Sequence, residues 1–164
     1  MGAGEMSITL SMNRLLGFHL VRFEGVVTFS ELAELGRLHA AFPVFAGADA
    51  IHVIDADADL SGLQLSELDI LRDHYAKLQR SLDLYLVRRS AWVCGTAATC
   101  RLVEHWLDGR HSRDGQKTEV LMACDLAGLF PLFSHEEIAA VEMGREFTEI
   151  SRIGGVSARS SLAW

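Results

Sequence analysis

Residues 50–62, AIHVIDADADLSG, constrain the fold more than any other stretch of this chain. A short apolar run, Ile51-His-Val-Ile, breaks into alternating carboxylates at Asp55, Asp57 and Asp59. A Ser61-Gly62 turn follows, and then a long helical pattern begins. A near-continuous apolar run is what a strand buried on both faces requires, and such strands belong to parallel sheets covered by helices. The carboxylates then mark the carboxyl end of that strand, the edge where open α/β sheets bind ligands and partners.

The flanking segments agree. Residues 6–12 and 17–27 read as two strands around Asn13-Arg-Leu-Leu-Gly17. In the second strand Leu20, Arg22 and Glu24 share one side while Val21, Phe23 and Gly25 share the other, as in an antiparallel hairpin. Thr28-x-x-Glu31 supplies a capping box, and Phe29, Leu32, Leu35, Leu38 and Phe42 form the apolar stripe of a helix that stops at Pro43. Ser66-x-x-Asp69 reads as a second cap, before a helix with Leu68, Leu71, Tyr75, Leu78 and Leu82 on one stripe. Residues 88–95 and 118–123 read as strands, 96–107 as a helix packed through Cys100, Val103 and Trp106 or Leu107, and 109–117 as a polar turn. Residues 125–133 read as a short helix or turn. Ser134-x-x-Glu137 opens a last helix to about Ile150, with Ile138, Val141, Phe147 and Ile150 facing the core. Residues 151–164 show no periodicity and read as a flexible tail.

The expected fold class is therefore α/β. It is a mixed sheet in which an N-terminal antiparallel hairpin precedes βαβα units with parallel strands, and helices pack on the sheet. Residues 5–150 are expected to form one domain, a size that 164 residues allow without disulfide staples.

Composition excludes more than it proposes. A formal charge of −7 opposes general nucleic-acid binding, which needs a basic face. No apolar run approaches the roughly 18 residues of a membrane span, and no signal-peptide pattern is read at the N-terminus. The expected location is cytoplasmic. Cys94, Cys100 and Cys124 are an odd set without a CxxC pair, and read as buried, reduced thiols.

One hairpin followed by repeated strand–helix units, over about residues 5–150 and with an acidic strand end, resembles the STAS domain and its SpoIIAA-like bacterial relatives. The family's Asp-Ser-Ser-Gly-Leu turn, phosphorylated on the serine directly after the aspartate, corresponds to Asp59-Leu60-Ser61-Gly62-Leu63 here. Leu60 replaces the phospho-acceptor, which leaves Ser61 or Ser66 as the candidate phosphorylation sites. The resemblance implies a non-enzymatic regulatory module without a cofactor, recognising a protein partner or small ligand and open to homodimer formation. The residues expected to form the site are Asp55, Asp57, Asp59, Ser61, Ser66, Arg72, Thr96 and Asp125. Gly95-Thr96, at a helix start, offers backbone donors to a small anion.

Other chemistries fit the motifs less fully. As a calcium loop starting at Asp55, the chain puts Leu60 where glycine is needed and Ser66 where a carboxylate is needed. Asp55-x-Asp57 at a strand end is similar to the haloacid-dehalogenase phosphatase signature, with Mg²⁺ as its metal and Thr96 ending the next strand. Residue 59, however, is Asp where that family has Thr. A small lipid or apolar-ligand carrier of the CRAL-TRIO type is a third reading. The seven histidines are scattered, with His39 and His52 in apolar segments that suggest core positions, so no metal site is expected.

Overall fold

The computed structural model describes residues 7–42, 45, 47–82, 88–107 and 118–154. Its elements run β1 (Ile8–Asn13), β2 (Phe18–Phe23), α1 (Phe29–Ala41), β3 (Asp49–Ile54), α2 (Leu65–Leu82), β4 (Arg88–Cys94), α3 (Ala97–Leu107) and β5 (Thr118–Ala123). A 3₁₀ turn at Leu126–Leu129, α4 (His135–Met143) and β6 (Phe147–Ile153) complete the described order. The six strands form one sheet in the order β5-β4-β3-β2-β1-β6. β2, β3, β4 and β5 are parallel neighbours, and β1 is antiparallel to both β2 and β6. The chain is α/β with a mixed sheet, as expected, and this architecture is consistent with a STAS-like arrangement.

Period-two alternation sorts the strand side chains between two cores. On one face Val21, Phe23, Ile54, Trp92 and Cys94 pack against α1, α2 and α3 through Leu32, Leu71, Tyr75 and Trp106. On the other, Phe18, Leu20, Ile51, Val53, Ala91 and Val93 meet Leu129, Phe133, Ile138 and Val141 from the 3₁₀ turn and α4. β3 contributes to both cores, which explains its unbroken apolar run. His39 and His52 are core residues, as their neighbours suggested. His39 Nδ1 lies 2.8 Å from the Tyr75 hydroxyl, while His52 bonds the Ala91 carbonyl at 3.0 Å and stacks on Trp92 with ring centroids 3.9 Å apart.

α4 is tied down at the amino ends of the parallel strands. Arg89 in β4 donates from Nε to Asp49 (2.8 Å), from Nη2 to Glu137 Oε1 (2.8 Å) and from Nη1 to the Leu132 carbonyl and Glu137 Oε2 (both 3.1 Å). Its guanidinium carbon sits 4.3 Å from the centroid of the Phe133 ring. The Ser134–Glu137 capping box is complete, with Ser134 Oγ accepting from Glu137 N at 3.2 Å and Glu137 Oε2 from Ser134 N at 2.7 Å.

Three expectations need correction. The last helix ends at Met143 instead of about Ile150, because Gly144 takes the left-handed conformation (φ +61) and Glu146 follows it there (φ +65). Phe147–Ile153 then forms β6, which places Ser151–Ile153 in the sheet. The remainder of the expected tail, 155–164, lies outside the described residues, as does the whole of the expected polar turn at 109–117. The second correction is α2, which starts at Leu65. Gln64 N donates to Glu67 Oε2 (2.9 Å), so Ser66 lies within the first turn and does not cap it. The third concerns the thiols, since only Cys94 is buried. Cys100 is half-buried and Cys124 exposed, at the solvent-facing end of β5.

Candidate functional site

The carboxyl ends of β2, β3, β4 and β5 lie on one edge because those strands are parallel. Beyond β3 the backbone stays zipped to the segment after β2. Asp55 N donates to the Phe23 carbonyl (3.0 Å), Asp59 N to the Gly25 carbonyl (2.7 Å), and Val27 N to the Asp59 carbonyl (2.9 Å). Residues 55–59 and 24–27 therefore run side by side as a short ledge. The ledge carries Glu24, Asp55, Asp57 and Asp59.

Each carboxylate has a distinct setting. Asp55 is half-buried and ion-pairs with Arg22 from the neighbouring strand at 3.0 Å. Asp59 accepts the Ser61 N–H at 2.9 Å, an Asx turn that fixes the chain into α2. The Ser61 hydroxyl, followed by that backbone bond, holds the Asp59 carboxyl below its ordinary value. Asp57 is exposed. Glu24 stands next to Asp55. Partial desolvation, then a shared hydrogen bond with Asp55 and the repulsion of Asp55 and Asp57, raises its carboxyl, while Arg22 opposes the shift.

Glu24 was not among the residues expected to form this site. The alternation of β2 placed it beside Arg22, but only the register Phe23↔Ile54 brings that side against Asp55. A raised folded-state value means the folded chain binds the Glu24 proton more tightly than the unfolded chain does. Stability therefore falls as pH rises through this range. Glu24→Gln is expected to raise the urea midpoint slightly at pH 7, with the gain vanishing below the ordinary glutamate range. A gain over wild type no larger at pH 7 than at pH 4 would overturn the repulsion between Glu24 and Asp55.

The other expected residues are dispersed. Arg72 donates to the His105 carbonyl at 2.7 Å and pairs with Asp69, which also accepts from His105 at 2.8 Å, so it joins α2 to α3 instead of flanking the carboxylates. Thr96 caps α3, its Oγ1 accepting from Thr99 N at 3.2 Å. Asp125 caps the 3₁₀ turn by accepting from Gly128 N at 3.0 Å. Ser61 and Ser66 are both exposed, Ser61 in the Asx turn of Asp59 and Ser66 in the first turn of α2.

No family model, curated protein or solved structure matches this chain.

The reading of function thus rests on the edge itself. Among the described residues, no group of three or more His, Cys, Asp or Glu side chains is placed to hold a metal ion, and no helix is long and apolar enough to cross a membrane. A cavity of about 10 Å³ lies behind the ledge, lined by Phe23, Leu32, Ile54, Leu60, Trp92 and Trp106, among others. That volume is at the threshold for one water molecule. Two large apolar side chains on this part of the chain stand out in solvent, Val26 on the ledge at 62% exposure and Leu65, in the helix that follows it, at 53%. Val26 bridges to Asp59 across the ledge, and Leu65 opens α2.

Proposed function

We propose that this protein is a non-enzymatic, STAS-like regulatory module of the bacterial cytoplasm that recognises a protein partner through the acidic ledge. The observation carrying this reading is a ledge of carboxylates with exposed Val26 among them and exposed Leu65 opening the helix that follows. Such a surface complements a partner segment of basic and apolar residues, with charge steering the encounter and the two apolar side chains burying area on contact. Ser61 and Ser66 sit where phosphorylation would add further negative charge to the ledge, one in the Asx turn and the other in the first turn of α2. The fold class supports the STAS-like assignment, and a homodimer of such a module would have to form through another face, because two acidic ledges repel.

The test uses affinity capture from the native cells with wild-type protein and with Val26→Asp/Asp57→Lys. Both changes lie at exposed positions and leave the core intact. A stoichiometric partner retained by the wild type, lost by the variant and weakened by added salt is the expected result. Equal capture by both proteins overturns the reading. So does Mg²⁺-dependent release of phosphate from an aryl phosphate that Asp55→Asn abolishes, since that outcome assigns the edge to phosphatase chemistry. A hydrophobic ligand carried through native mass spectrometry instead assigns the protein to the carrier class.

A further inference from the structure

The three thiols, read from sequence as buried and reduced, are brought together by the fold. Cys94 ends β4 on the face covered by α3 and is 0% exposed. Cys100 follows in the first turns of α3, where its N–H donates to the Thr96 carbonyl at 3.0 Å. Its thiol donates to the Cys94 carbonyl at 3.4 Å across the connecting turn. The Val93↔Ala123 register sets Cys124 beside Cys94 at the end of the next strand. The accessibility is graded: buried Cys94, half-buried Cys100, exposed Cys124.

We propose that Cys94 and Cys100 are a peroxide-responsive pair that closes a reversible disulfide across the β4–α3 turn. Cys100 is the thiol of the pair that a small oxidant reaches. Its sulfur attacks one peroxide oxygen, the O–O bond breaks, and the departing hydroxide leaves as water with the thiol proton. Cys100 is then a sulfenic acid. The Cys94 sulfur next attacks the Cys100 sulfur, the S–S bond forms, and the S–O bond breaks. The released hydroxyl carries off the Cys94 proton as a second water. Two thiols lose two electrons in total, and one hydrogen peroxide becomes two waters.

The placement of Cys94 suits the resolving role, since it is closed to bulk oxidant and lies against the Cys100 thiol. Desolvation first, and then the neighbouring Cys100 thiol, push its pKa up to about 12, which protects it from direct oxidation and also slows its attack on the Cys100 sulfur, so bridge closure should speed up as pH rises. Closing the bridge replaces the S–H···O contact with a covalent tie between β4 and α3, next to the exposed Gly95-Thr96 end of the acidic edge.

The experiment treats the full chain with hydrogen peroxide, quenches it, counts thiols under denaturing conditions and maps tryptic peptides. Trypsin leaves Cys94 and Cys100 in one peptide, residues 90–101, and Cys124 in another, residues 118–145. The expected product has lost two of its three thiols. Its 90–101 peptide is lighter by two hydrogens, and dithiothreitol reverses the change. Cys124→Ser should behave in the same way, whereas Cys100→Ser should form no internal bridge. A 90–101 peptide that stays reduced, accumulates sulfinic acid or becomes linked to 118–145 overturns the pair. Mapping of the wild-type chain decides the question even where a cysteine variant folds poorly.

Discussion

Arg89→Ala is expected to lower the unfolding free energy by about 3 kcal/mol, because it strands a carboxylate that the fold has largely removed from water. The Glu137 side chain is only 10% exposed, and two of its oxygen contacts come from the Arg89 guanidinium. The same side chain also holds Asp49 in β3 and the Leu132 carbonyl just before α4. Breaking a buried pair on one side costs about 3–5 kcal/mol, and the partial exposure of Arg89 and Asp49 favours the lower end. For a chain of this size the loss corresponds to a Tm about 6–12 °C lower. Arg89→Met combined with Glu137→Leu should recover part of it, since the double variant no longer buries the Glu137 charge.

The effect carries a pH signature. Burial pushes the Glu137 carboxyl up, but the Arg89 hydrogen bonds, the Ser134 backbone N–H and the Arg89 charge outweigh it, leaving the group below its ordinary value. A lowered folded-state value stabilises the protein fully above the unfolded pKa, and that stabilisation is lost as pH falls through the folded one. The gap between wild type and Arg89→Ala should therefore be widest near neutrality and close in acid. Urea unfolding across that range is the measurement. A gap independent of pH would show that Arg89 stabilises through packing on Phe133 instead of through Glu137.

What the sequence disclosed depended on how local each signal was. The β3 run, the α1 stripe and the Ser134-x-x-Glu137 box are properties of contiguous residues, and each appears where the pattern placed it. β6 escaped because its alternation is broken. Leu10 pairs with Ser151 but Ser11 with Glu149, so Ile150 is an extra residue in a bulge, and Phe147 and Ile150 fall at a helical spacing by accident. Gly144 was the available stop signal, a glycine directly after the last buried turn of α4. The edge was legible in the same measure. Asp55 and Asp59 sit on it as expected. The Arg22–Asp55 pair and the neighbouring Glu24 depend on β2 and β3 being adjacent and in one register, which no single segment encodes. Arg72 was misplaced for a related reason, because its partners come from α3, thirty-three residues away.

Leu60→Ser, which introduces the serine that the STAS turn carries at the corresponding position, is expected to cost about 3 kcal/mol and to produce no usable phospho-acceptor. In this chain the position points inward. Leu60 is 8% exposed and packs with Leu63, Ile54, Phe23 and Leu32 beside the small apolar cavity. Truncating a buried leucine costs about 2–5 kcal/mol, with a further contribution when the replacement places a hydroxyl among apolar neighbours. Leu60→Met, which conserves volume, should stay within about 1.5 kcal/mol of wild type. Ser61→Ala, at an exposed position whose backbone N–H still bonds Asp59, should change stability by no more than about 0.5 kcal/mol. Urea midpoints with unchanged m-values distinguish the three. Equal stability of Leu60→Ser and wild type would mean that the ledge is not anchored through this side chain. If the expected ranking is found, modification at residue 60 and a folded ledge are mutually exclusive, because a phosphate there would bring about two negative charges into the core. Under the proposed function, a phosphate on this part of the chain would then have to sit on exposed Ser61 or Ser66.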